Sequence, residues 1–313
     1  MQPFVAFCPH PDPPLVPGTL NFGNSFCLDW DHLTLEPLAH LMAQSSCDYP
    51  SIAQASELLT RWVSQHGPSR LRLLFALLPR VRSIIALAAV CANNVSLVHH
   101  LDIEFDVGTL CEAHNLVETA ARFGHVDVLR LITRLPRFNF VVTTQAIVDA
   151  SKHGQVAALQ FLHDWDGRTG GAWTTRAMDF AAANGHIVVV EWLHMHRTEG
   201  CSHWALDGAA RNGHLKVVHF LVNHRTEGRV GDALVHAARE GHLKVVQYLL
   251  TKSSARQPVQ AICAAVEQQR YDVVDTLYQH GGPTYVDDAV AHSKSQGNAR
   301  VVELLQKVPL TIE

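Results

Sequence analysis

A chain of 313 residues that is 47% hydrophobic and 17% charged has enough apolar surface for a continuous core and too much for wholesale disorder. Its 25 Lys and Arg against 29 Asp and Glu leave a net charge of -4, which excludes a general electrostatic attraction to nucleic acid or anionic membrane. The most apolar segment, Leu71 to Val90, is interrupted by Arg72, Pro79, Arg80 and Arg82. Its unbroken run, residues 83–92, is far short of the ~20 residues a membrane span requires.

Taken in chain order, residues 1–18 carry six prolines and neither a basic nor an apolar signal region, so they predict an extended, disordered arm and not a secretion signal. Residues 19–70 predict a helical cap: Leu33, Leu35, Leu38 and Leu41, then Leu58, Leu59 and Trp62, supply apolar faces to cover the exposed end of a repeat array. Residues 71–313 predict that array. Seven cysteines are scattered singly, without a CxxC pair, which reads as reduced thiols in an intracellular, cytoplasmic protein, with the nucleus left open.

The array announces itself by self-similarity. AAANGHIVVVEWL at Ala181, AARNGHLKVVHFL at Ala209 and AAREGHLKVVQYL at Ala237 stand 28 residues apart, and the 28-residue blocks from Ala181 and Ala209 share 15 identical positions, including HRTEG from His196 and again from His224. That degree of identity marks a tandem duplication. Anchored on the glycine of Gly-His, the frame runs through Asn93, Gly124, Gly154, Gly185, Gly213, Gly241, Gln269 and Gly297 in steps of 28 to 31, giving at least eight units. Before an anchor, Leu206, Ala209 and Ala210 fall at helical spacing; after it, Val217, Val218 and Leu221 do the same. Each unit therefore predicts two short helices with one apolar stripe each. Such a pair cannot bury its stripe alone, so the units must stack through their small Ala-Ala pairs.

The phrase A-A-x-x-G-H-x-x-V-V-x-x-L resembles the helical half of the ankyrin repeat and covers roughly residues 86–306. The resemblance implies an all-α, right-handed, ankyrin-like helical-repeat solenoid of stacked antiparallel helix pairs. The units are shorter than the ~33 residues of that family and lack its Thr-Pro-Leu-His opening; Trp204-Ala205-Leu206-Asp207 and Asp232-Ala233-Leu234-Val235 stand there instead. The projecting hairpin is accordingly expected to shrink to a short loop, with Asp232 and Asp288 able to act as N-caps. The resemblance also implies a non-enzymatic scaffold that binds a protein partner on its concave face, through the two variable positions before each Gly-His. Those are Arg122-Phe123, Lys152-His153, Ala183-Asn184, Arg211-Asn212 and Arg239-Glu240. Four of the five begin with a cation, which is either a solvated face or a basic stripe for an acidic or phosphorylated partner segment. Trp204, like Trp173 placed in a loop between units, is the expected apolar contact.

Other chemistries are weaker in the sequence. His194-x-His196 followed by Cys201-x-His203 lacks the paired-ligand spacing of a structural zinc site, and His125, His186, His214 and His242 are expected to satisfy backbone groups at the turns. No phosphate loop, nucleophile elbow or His-Glu-x-x-His helix is present, so neither enzyme activity, cofactor nor metal is expected. The stretch LLFALLPRVRSIIALAAVC from Leu73 resembles an F-box, although without its downstream Trp. It implies the alternative of a substrate-receptor subunit of a ubiquitin ligase.

Overall fold

The computed structural model describes residues 61, 63, 64, 67, 71, 72, 75, 81–110, 113–166, 171–253 and 257–307. The predicted arm, the leucines of the predicted cap and residues 73, 74 and 76–80 of the F-box-like segment lie outside them. The chain divides into two units, Met1–Ala88 and Ala89–Glu313. In the first, Leu71 and Phe75 are buried, and Arg82 donates to the Phe75 carbonyl at 3.2 Å with its guanidinium 5.8 Å from the Phe75 ring. Helix α1, Val81–Cys91, carries the chain across the division.

The second unit is a succession of helix pairs, and no strand occurs among the described residues. After α2, Val95–Phe105, and the single turn α3, Val107–Leu110, the pairs follow in order. They are α4 with α5 (Ala113–Phe123, Val126–Ile132), α6 with α7 (Thr144–Lys152, Val156–Asp166) and α8 with α9 (Arg176–Ala183, Ile187–His196). Next come α10 with α11 (His203–Arg211, Leu215–His224), α12 with α13 (Val230–Glu240, Leu243–Leu250), α14 with α15 (Gln257–Glu267, Tyr271–Gly281) and α16 with α17 (Pro283–Ser295, Ala299–Lys307). The first helices of successive pairs pack on one another as a continuous layer, and the second helices form a second, more loosely joined layer behind it. Ala209, Ala210, Val217, Val218 and Leu221 are each no more than 2% exposed, as the predicted stripe requires. The paired alanines bring the first helices close because a methyl is all that separates them.

Each turn between the two helices of a pair is a left-handed residue. The glycine anchors have φ between +70° and +87°, and Asn93 and Gln269 take the position with φ +50° and +56°. The histidine after the anchor reaches back to the preceding pair. His125 Nε2 meets the Cys91 carbonyl at 3.0 Å, His186 the Lys152 carbonyl at 2.9 Å, and His242 the Arg211 carbonyl at 2.8 Å. His214 bonds the Ala183 backbone in the same way. These carbonyls belong to the last turns of the preceding first helices, where no amide of the same helix is left to satisfy them. Arg270, standing where the histidine would be, sends its Nε to the Arg239 carbonyl at 3.4 Å. The rings of His186, His214 and His242 fill the space over the preceding glycine: a Cβ on Gly213 would lie 2.6 Å from His242 Nδ1.

The connection from one pair to the next is short. In the duplicated HRTEG, Arg197 pairs with Glu199 and Arg225 with Glu227, folding the loop on itself. Neither expected aspartate cap is one. Helix α12 begins with Arg229 as N-cap, which places Asp232 inside its first turn, and α16 begins at Gly282 with Pro283 in the first turn, which places Asp288 well inside the helix. A residue already in helical conformation cannot act as the cap. Trp204 is not in a loop but is the second residue of α10, because the Ser202 hydroxyl accepts the Trp204 N–H at 3.2 Å and starts the helix there. Trp173 does lie in a connection. It is buried under the Arg197 guanidinium, 4.5 Å from its ring, and meets His163 edge-on.

Candidate functional site

The layer of first helices presents side chains that stand nine, five and two residues before each anchor, a spacing that brings them to one face of each helix. The outer row is Gln145, Arg176, Trp204, Asp232 and Gln260, all exposed; the middle row is Asp149, Phe180, Gly208 and His236. The third row holds the cations anticipated from sequence. Arg122 is half-buried and donates to Asp149 Oδ1 at 3.3 Å, a carboxylate buried on the next helix that also accepts from Gln145 Nε2 at 3.0 Å. Lys152, Arg211 and Arg239 are exposed. Ala183 interrupts the row, and its place lets Gly208 come close: a Cβ on Gly208 would lie 2.8 Å from that of Ala183.

The neighbouring variable residues are tied to the turns. Phe123 stacks on His125 with ring centres 5.9 Å apart, and His153 Nδ1 meets the Asp149 carbonyl at 2.9 Å. Asn184 Nδ2 donates to the Phe180 carbonyl at 2.8 Å, and Asn212 Nδ2 to the Ala183 carbonyl at 2.6 Å. Glu240 is exposed. Trp204 is 58% exposed, a large apolar area to leave in water on an ordered helix.

Beside Trp204 the face is indented. A hollow of about 380 Å³ is lined by His203, Trp204, Asp207, Arg211, Asp232, Val235, His236 and Gln260. Arg211 Nη2 lies 3.3 Å from His236 Nδ1. Burial first, and then the Arg211 charge, lower the His236 pKa, so the ring stays neutral and accepts from the guanidinium. Asp207 is 6% exposed, and its Oδ1 is buried with no hydrogen-bond partner. Burial also raises its pKa. Sequence reading missed Asp207, Asp232 and His236. The signal available was Gly208, where Phe180 and His236 occupy the equivalent places and a missing side chain leaves a gap.

The rings of the histidine-rich stretch pack on aromatic neighbours. His196 stacks on Trp192 at 4.9 Å and its Nδ1 meets the Trp192 carbonyl, while His194 lies edge-on to Phe220. No group of three or more His, Cys, Asp or Glu is placed to hold a metal ion among the described residues. Nor is any described helix long and apolar enough to cross a membrane.

Comparison with known proteins agrees with this geometry. No curated protein matches the chain. The family model for ankyrin repeats, spanning three copies, matches residues 206–288, the stretch from α10 into α16 that holds the residues lining the hollow apart from His203 and Trp204. The Gly-turn frame of that stretch runs on unbroken to Gly297 and back to Asn93. With stacked helix pairs on both sides of the match, residues 206–288 are ankyrin repeats, which supports an ankyrin-repeat family and indicates a protein-protein interaction module.

Proposed function

We propose that the array binds its protein partner across the face of the first helices, without catalysis, and that the partner lays an acidic or phosphorylated segment over Lys152, Arg211 and Arg239. The observation that carries this reading is the exposed Trp204 set in the same face as these cations. Arg122 contributes shape and not free charge, because Asp149 already neutralises it. Phe123, His153, Asn184, Asn212 and Glu240 form the rim near the turns. An exposed cation contributes little to folding, whereas a row of them creates a local positive potential that an acidic ligand relieves. The thiols of Cys91, Cys201 and Cys263 are unpaired, which supports an intracellular site of action.

The test begins with a partner identified by proximity labelling and purified. Its affinity is titrated at low and high salt against the wild type and against a variant carrying both Arg211→Glu and Arg239→Glu. The double reversal is expected to weaken binding and flatten its salt dependence while leaving the melting temperature nearly unchanged. Unaltered affinity at low salt overturns the electrostatic reading.

A further inference from the structure

Adjacent repeats share a second polar contact, between the position six residues before one anchor and the position eleven residues before the next. Glu118 accepts from the Thr143 hydroxyl at 2.9 Å. Asp179 accepts from Ser202, at 2.8 Å from the backbone N–H and 2.7 Å from the hydroxyl. In the repeat between these two, Val148 replaces the carboxylate, and the hydroxyl of the facing Thr174 is buried without a partner. In the repeat after Asp179, the mismatch is reversed. Asp207 keeps the carboxylate, but Val230 stands where the hydroxyl should be, and Asp207 Oδ1 is left buried and unmatched.

A buried anionic oxygen without a donor is costly, and here it borders a hollow open to a ligand. The charged and titratable groups around that hollow are Asp207 and Asp232 on one side of the balance and Arg211 on the other, with His203 and His236. Arg211 is turned to His236 Nδ1, so the two carboxylates outweigh the one guanidinium. Trp204 offers a ring at the rim, over which an alkyl stem or a cation can lie. The volume suits one long side chain.

We propose that the hollow between α10, α12 and α14 seats a lysine or arginine side chain of the protein partner, whose N–H groups meet Asp207 while its stem lies along Trp204. This rests on the reading that the partner covers the first-helix face, and it adds a basic anchor to a segment otherwise acidic. The segment then reads as mixed in charge: one cation inserted, with carboxylates or phosphates beside it facing Arg211 and Arg239.

The full chain is used to select binders from a random peptide display library, and the selected peptides are measured by fluorescence anisotropy. A lysine or arginine is expected to recur at one position of the selected sequences. Replacing it with norleucine weakens binding to the wild type about tenfold, the loss of one charge-assisted hydrogen bond. The isosteric Asp207→Asn weakens the parent peptide by a similar factor, and on that variant the norleucine replacement has no further effect. Val230→Thr, which offers Asp207 a hydroxyl from within the array, also weakens the parent peptide. The absence of a recurrent basic residue overturns the proposal, as does full norleucine sensitivity on the Asp207→Asn background. A Lys152→Glu and Arg239→Glu variant, with both positions outside the lining of the hollow, reports separately on the acidic part of the segment, so either reading can fail without the other.

Discussion

Placing a methyl on Gly213 perturbs two things at once, and they can be separated. The backbone there has φ +76°, a conformation that costs an L-residue about 1–2 kcal/mol. The new Cβ would also lie 2.6 Å from His242 Nδ1, so the ring must leave the position in which its Nε2 meets the Arg211 carbonyl at 2.8 Å. Losing that bond costs about 0.5–1.5 kcal/mol. Gly213→Ala is therefore expected to destabilise the array by about 2–3 kcal/mol. His242→Ala alone should cost about 1 kcal/mol, and in its background Gly213→Ala should retain only the backbone part. Asn93 bounds the penalty from above: there φ has closed to +50° while His125 still reaches the Cys91 carbonyl. At Gln269 the next repeat supplies Asn298, which donates to the Glu267 carboxylate at 3.0 Å, in place of a ring. Urea unfolding of the four proteins, monitored by far-ultraviolet circular dichroism, gives the cycle. A coupling of about 1 kcal/mol is expected. Additivity to within about 0.3 kcal/mol would refute the idea that the glycine is there to seat the neighbour's histidine.

Two more outcomes come from burial. His214 and His236 are held below the ordinary histidine value, chiefly by burial. The folded state thus prefers them neutral, and the unfolded chain takes up the protons first. Their contribution is intact above about pH 6.5 and is lost as pH falls below it; the melting temperature should drop between about pH 7.5 and about pH 5.5. His214→Gln, which copies Gln155 at the same repeat position, should make that drop shallower, and an unchanged slope would remove His214 from the explanation. Asp179 and Asp207 act in the opposite sense. Their pKa values are raised by burial, so protonation at still lower pH relieves a cost and partly offsets the histidines. Separately, burial pushes the Cys201 thiol up to about 11. Iodoacetamide at about pH 8 should label it about a hundredfold more slowly in native than in urea-unfolded protein, because thiolate is the reactive form. Peptide mass mapping reads this directly, and equal labelling would show the site to be open.

The fold was legible because its signal lies within one repeat: Gly-His fixes the turn, and Leu206, Ala209, Ala210, Val217, Val218 and Leu221 fix which side of each helix is buried. Contacts between repeats were not legible in the same way. Arg122 read as a free cation because its partner Asp149 is 27 residues away and meets it only through stacking. Trp204 read as a loop residue because the repeat frame alone does not mark the Ser202 cap that begins its helix. The unmatched Asp207 emerges only when residues six before one anchor are set beside residues eleven before the next. That comparison uses the repeat frame alone and was open to the sequence. What it needed was the knowledge that those two positions touch.

The backward reach of each histidine also bears on how such a chain lengthens. A unit brings the donor for the helix end before it and leaves its own helix end for the next unit's donor. At this contact its two sides match those of its histidine-bearing siblings, so copying one block in place requires no second adjustment there. The blocks that begin at Ala181 and Ala209, identical at 15 of 28 positions, are what such copying leaves behind. The opposite holds for a cut. Removing a unit from the C-terminal side strips the preceding first helix of the group that completes it, while removal from the other side leaves a histidine without a carbonyl to reach but every remaining helix end closed. Erosion of the array is thus directional, and unzipping should advance more readily toward the N-terminus than away from it.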